Sequence, residues 1–342
     1  MARVTSSAGA GEALYFPPTD GSWGTVTPME VGLNAAKLQK ALDYAGRNQS
    51  SGVVILHRGR ILAEQYWKVK GARSAKYRQR IVGLTKVGHA IEDVASAQKS
   101  VVSVLVGIAQ EKGLLNITDR VDKYLGAGWS KATPRQERAI TIRHLITMSS
   151  GLTERGAFEA KAGGKWRYNT SVYAKTVAVL EKASGMDRHE LTQKWLTEPV
   201  GMTDSKWVKR GSPELQAVNG FGFATSARDL ARFGLMVLAQ GRWDEAVILG
   251  DQDYLKDSTR SSQKLNPYYG YLWWVNRNTN AKGNERRNQF APRDTFSANG
   301  ALNRRCWVVP SQGLVVTRIG DQPAAKRGFD QEFWRLLKEA AK

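Results

Sequence analysis

Two β-hairpin signals stand near opposite ends of the chain, and an amphipathic helix goes with each. Near the start, Val53-Val54-Ile55-Leu56 and Ile61-Leu62-Ala63 flank Arg58-Gly59-Arg60, with glycine where a tight turn needs it. Near the end, Trp307-Val308-Val309 and Leu314-Val315-Val316 flank Pro310-Ser311-Gln312-Gly313. Ahead of the first pair, Asn34 can accept from the free N–H groups of an opening helical turn, and Leu38, Ala41, Leu42 and Ala45 follow at i, i+3, i+4, i+7 spacing. Behind the second pair, Phe329, Phe333, Leu336, Leu337 and Ala340 share one helical face. The stretch between reads mainly helical, with candidate helices over 97–112, 119–125, 140–149, 171–183 and 188–196.

The economical architecture is α+β. Residues 1–95 and 211–342 form a discontinuous α/β lobe, a central antiparallel sheet flanked by helices, and residues 96–210 form an inserted helical lobe. A length of 342 residues suits two lobes at about 150 residues each. The cleft between them is the expected place for a ligand. There is no internal repeat, low-complexity tract or interdomain linker.

At 42% hydrophobic and 24% charged residues, the chain is neither disordered, collagen-like nor a disulfide-stapled mini-protein. Its longest apolar-rich run, Val101 to Ala109, is broken by Ser103 and Gly107 and falls far short of a membrane span. The single cysteine, Cys306, has no internal partner and reads as a small core residue. The first 24 residues lack the charged-then-apolar layout of a secretion signal. The expectation is a cytoplasmic protein, or one whose signal was removed.

The net charge is +20, and the densest basic cluster is Lys68, Lys70, Arg73, Lys76, Arg78 and Arg80, with no acid between its members. Tyr77 is the lone aromatic among them, and no RNA-recognition signature, zinc-finger spacing or basic zipper accompanies the cluster. It reads as a solvated basic surface, with no nucleic-acid partner expected.

The chemistry-bearing signal is Ser96-Ala97-Gln98-Lys99, immediately before Val101-Val102-Ser103-Val104-Leu105. Three residues are about one helical turn, so Ser96 and Lys99 project from one face. A helix buried on most sides disfavours the ammonium form and makes Lys99 a usable base near neutral pH. A serine hydroxyl needs such a neighbour to become a nucleophile. Ser261-Ser262-Gln263-Lys264 has the same spacing but lies in a polar stretch and reads as a surface loop.

Tyr168 precedes another apolar helix and can set its phenol against the lysine as acid or base. Phe296-Ser297-Ala298-Asn299-Gly300-Ala301 opens the terminal strand pair. Its glycine permits close approach of backbone, and the N–H of Ala301 can join that of Ser96 in an oxyanion hole.

Other constellations carry less. Gly-x-Ser-x-Gly is absent, and Gly220-Phe221-Gly222 lacks the third glycine of a dinucleotide fingerprint. His57, His89, His144 and His189 are each more than thirty residues apart, so neither a metal nor a cofactor is expected. His144 reads as structural. Tyr268, Tyr269, Tyr271, Trp273 and Trp274 read as core or cleft wall.

In order and context, over about residues 25 to 340, the chain resembles the serine β-lactamase and penicillin-recognising family, above all its class C-like esterases, amidases and peptidases. The likeness runs through Ser96-x-x-Lys99, Ile140 to Leu152, the Tyr168 segment, Glu198-Pro199-Val200-Gly201-Met202 and Gly222 to Ala231. It implies a β-lactamase/transpeptidase-like fold, a Ser96 acyl-enzyme, and Lys99 and Tyr168 as proton carriers. Asn169, Thr170, Asn299 and Gly300 fall at substrate-binding positions.

Two departures bear on substrate. The family's Tyr-x-Asn reads Tyr168-Asn169-Thr170 here, with threonine at the asparagine position. Alignment on Gly300 puts Ala298 where true β-lactamases hold a lysine, leaving Arg304 or Arg305 as cations within reach. The expected activity is therefore hydrolysis of a small ester or amide. A D-amino-acid peptidase, β-lactamase or linear-amide hydrolase is the alternative within the family, and a catalytically idle ligand-binding protein the alternative outside catalysis. The sequence does not set the oligomeric state.

Overall fold

The computed structural model describes residues 13–68, 74–213, 216, 219–277, 285–325 and 328–341. Lys70 and Arg73 of the basic cluster, and the first twelve residues of the opening segment, lie outside them. Five helices of twelve residues or more occur among the described residues: α1 (Ala35–Arg47), α2 (Gln98–Glu111), α3 (Thr170–Ser184), α4 (Ala227–Leu238) and α5 (Phe329–Ala340). The two larger sheets are built from β1 (Ser50–His57), β2 (Arg60–Tyr66), β3 (Ile81–Leu84), β4 (Ala90–Asp93), β5 (Lys206–Lys209), β6 (Phe221–Thr225), β7 (Trp274–Val275), β8 (Phe296–Gly300), β9 (Arg304–Val309) and β10 (Leu314–Gly320).

Both ends of the chain meet in one antiparallel sheet of order β2-β1-β10-β9-β8-β7. The first hairpin turns through Arg58 and Gly59, both at positive φ (48° and 88°), the geometry that matches the strands' twist. Only glycine fits the second place, since a Cβ on Gly59 would stand 1.7 Å from the Tyr15 carbonyl oxygen. Asn34 caps α1, its Oδ1 accepting from Lys37 N at 3.0 Å.

Side chains alternate across the sheet, which divides the core in two. Val53, Ile55, Trp307, Val309 and Val316 face α1 and α5, where Leu38, Phe329, Phe333 and Trp334 cover them. Val54, Leu56, Val308 and Val315 face the other way, into a core shared with α2, α3 and α4. Cys306 lies there, fully buried, facing α4. A Cβ on Gly234 of that helix would stand 2.7 Å from the Cys306 sulfur.

Between the two ends the helical reading needs amendment. The expected helix over 119–125 shortens to Asp122–Leu125, and that over 140–149 to Ile142–Ile146. Thr141 and His144 form a capping box that starts the latter late, and Met148 at φ 59° lies beyond its end. A second antiparallel sheet, β3-β4-β6-β5, has no counterpart in the sequence reading, and its β5 comes from the stretch read as helical. Its strand β4 runs directly into the turn that carries Ser96.

Candidate active site

Ser96 sits in a short 3-10 turn, Ala95–Ala97, that leads into α2. Ala95 has φ 53°, a left-handed conformation costly for a residue with a Cβ. Asp93 holds the turn there by accepting from Ala95 N at 2.9 Å. Burial pushes the Asp93 carboxyl up, but Arg210 and Arg80 outweigh it and keep it below its ordinary value. Both are close, Arg80 Nη1 at 2.7 Å and Arg210 Nε at 2.8 Å from Asp93 Oδ2.

One turn along, Lys99 is 2% exposed. Its Nζ lies 3.1 Å from Ser96 Oγ and 3.2 Å from Thr170 Oγ1. Burial, reinforced by the charge on Arg210, lowers the amine from 10.5 to about 7. The faces of Tyr168 and Tyr173, with centroids 4.9 and 4.6 Å from Nζ, pull the other way by favouring the cation. The result is an amine that loses its proton near neutral pH while touching the serine.

Tyr168 supplies the third group. Burial raises its phenol above the ordinary value, and a hydrogen bond with Ser96 partly offsets that rise. Its hydroxyl therefore keeps its proton at neutral pH, which leaves Lys99 as the basic member of the trio. Around the phenol stand aromatic walls: Trp274 stacked at 5.9 Å, and Tyr269 and Trp166 edge-on or tilted at 6.3 and 6.4 Å. Trp274 is cleft wall, whereas Tyr269, Tyr271 and Trp273 are buried core.

Strand β8 closes the site from the sheet side. Gly300 presses on the Ser96 turn so tightly that a Cβ would stand 2.0 Å from Val94 O and 3.3 Å from Ala97 N. Ala301 follows, exposed, at the start of a 3-10 turn. Strand β7 pairs only with Phe296 and Ser297, so β8 beyond Ser297 has no strand on that edge among the described residues.

Ser96, Lys99, Tyr168 and Thr170 are thus brought together, with Gly300 and Ala301 beside them. Three expectations need correction. Asn169 does not face a substrate: it is 2% exposed, caps α3 by accepting from Val172 N, and donates to the Leu152 and Thr153 carbonyls. Arg304 does not reach one either, being fully buried and bonded through Nη2 to Glu92 Oε2 at 2.6 Å. Arg305 turns to Asp330 Oδ2 at 3.1 Å and to the Gly300 carbonyl at 3.2 Å.

Asn299 is more open to a role. Its Oδ1 has no partner among the described residues, and it lines a cavity of about 180 Å³ with Trp274, Ser297 and Arg287. The Arg287 guanidinium lies 4.0 Å over the Trp274 ring. Sequence reasoning missed Asp93, Arg210 and Arg287, which carry no motif; Trp274 stands as cleft wall, one of the two readings given to the aromatic run 268–274. Among the described residues no cluster of histidine, cysteine and acidic side chains is placed to hold a metal ion. No helix among them is long and apolar enough to cross a membrane.

The Beta-lactamase family model matches residues 35–337. An uncharacterized protein of Alkalihalophilus pseudofirmus, BpOF4_21049, is 24% identical over 326 residues, covering 88% of this chain and 91% of that protein. Two of the solved structures that share the fold carry an activity in their names. A D-stereospecific amidohydrolase from Streptomyces superposes with a TM-score of 0.60 at 15% identity, over 90% of this chain and 98% of its own. EstCE1, a hydrolase with promiscuous acyltransferase activity, gives 0.61 at 16% identity, over 90% and 96%.

Proposed function

Since the chain belongs to the beta-lactamase family of serine hydrolase fold, we propose that it hydrolyses a small ester or amide through an acyl-enzyme on Ser96. One observation carries the reading: a buried amine of pKa about 7 within hydrogen-bonding distance of the serine hydroxyl, at 3.1 Å. Neutral Lys99 takes the Ser96 proton as Oγ attacks the carbonyl carbon. Tyr168, still protonated, passes a proton to the leaving group, and water then releases the acid by the same groups in reverse. The amides of Ser96 and Ala301 hold the developing oxyanion. Thr170, at the family's asparagine position, steadies Lys99 through its hydroxyl.

A second reading, hydrolysis of an amide that carries a free carboxylate, has its own support. Ala298 offers no cation, but Arg287 stands in the cavity beside Asn299 and forms no ion pair within the described residues. The test is intact-mass detection of acyl-enzyme across a chromogenic acetate ester, a D-alanyl anilide and a chromogenic cephalosporin. An acyl adduct that appears in the wild type and vanishes in Ser96→Ala supports the mechanism, and the substrate that turns over fastest assigns the class. No adduct with any of them, and none with a fluorophosphonate probe, would leave only a ligand-binding protein.

A further inference from the structure

Of the eight large hydrophobic side chains exposed among the described residues, four lie within seven residues: Ile81, Val82, Leu84 and Val87. Leu84 and Val87 are 65% and 75% exposed. They occupy β3 and the turn that joins it to β4, and β3 is the outer strand of its sheet. Isolated exposed apolar residues need no explanation, but four within one short edge hairpin mark a contact surface.

The charge around this hairpin limits what it contacts. From Gln65 to Ile91 the chain carries seven lysines and arginines and no acid. Lys76 and Lys86, within five residues of the apolar group in the chain, are exposed. The next acids, Glu92 and Asp93, are buried and turned inward to Arg304 and to Arg80 and Arg210. A second copy of the chain docking edge to edge would set like charges together. A nucleic acid would find no stacking platform: Tyr77, the cluster's aromatic, is 2% exposed and bonded to Glu92. Exposed aliphatic side chains in a stretch that carries only cations fit an anionic lipid surface, where the first enter the acyl boundary and the second meet the headgroups.

We propose that the β3–β4 hairpin is a peripheral docking element for anionic membranes, independent of what the active site hydrolyses. Because β4 continues into the Ser96 turn, docking would hold the catalytic cleft at a set distance from the lipid.

The whole protein is sedimented with phosphatidylcholine vesicles and with vesicles containing phosphatidylglycerol, at low and high salt. Binding is expected only to the second kind and to weaken with salt. L84E/V87E should weaken partition at least about ten-fold, and K76E/K86E by at least about five-fold per residue. In V87W the added tryptophan should shift to the blue and be quenched by brominated acyl chains, a readout that does not depend on a disrupted variant. Unchanged urea transitions show that the variants fold. Anionic-vesicle binding that survives L84E/V87E, equal binding to both vesicle types, or duplex DNA held as tightly through the same four residues overturns the proposal.

Discussion

Replacing Lys99 by methionine should abolish turnover and yet leave a protein more stable than the wild type in mild acid. Folding brings this amine from an ordinary 10.5 to about 7 by burial and by the charge on Arg210. In the unfolded chain it keeps its proton up to about 10.5. Between those values unfolding takes up a proton, so the wild type gains stability as pH rises through the window and bears the full cost below it. That cost is about 5 kcal/mol below pH 7, at ~1.4 kcal/mol per pKa unit, and about 2 kcal/mol at pH 9.

Methionine removes this cost but forfeits the contacts to Ser96 Oγ and Thr170 Oγ1, at about 1 kcal/mol each. Its thioether still suits the two tyrosine faces that enclosed the amine. The balance is a variant about 3 kcal/mol more stable at pH 6 and level with the wild type at pH 9. Urea titrations of both proteins at the two pH values, compared at equal m-value, read it directly. A difference unchanged between pH 6 and pH 9 would refute the argument, because the amine would then carry the same charge folded and unfolded.

The same amine should give the acylation rate an acid limb with its midpoint near 7, falling about ten-fold per pH unit below it and level above; a burst-phase profile flat down to pH 5 would remove Lys99 as the base. Gly300→Ala should cut turnover about a hundred-fold, since the added carbon meets backbone at Val94 and must push β8 off the Ser96 turn; near-wild-type kcat would show that the spacing does not matter. Glu92→Gln strips the charge that compensates Arg304, both fully buried, and should cost about 3–5 kcal/mol in urea unfolding. A loss under about 1 kcal/mol would mean that another group neutralises the guanidinium.

What was legible in the sequence is what local chemistry dictates. Asn34 announces a cap, Gly59 and Gly313 announce turns at φ 88° and 59°, and the Ser96–Lys99 spacing announces one helical turn. The apolar run behind Lys99 even indicates the burial that lowers its pKa. What was hidden depends on partners far along the chain. Arg304 looks like a free cation until Glu92, 212 residues away, takes it. Asn169 looks like a substrate amide until the Leu152 and Thr153 carbonyls claim it. Asp93 has no motif, and its control of the Ala95 turn depends on Arg210 arriving from 117 residues on. Strand β3 is four residues long and exposed on both sides, so no alternation marks it.

The gap between β8 and the Ser96 turn is set by main chain resting on main chain, at Gly300 and Val94, with no side chain between them. Side chains that line the neighbouring cavity, Arg287 and Asn299 among them, therefore do not set the spacing between β8 and the turn. On the proposed mechanism, exchanges in that lining would change which leaving group fits while the distance from β8 to Ser96 stayed the same.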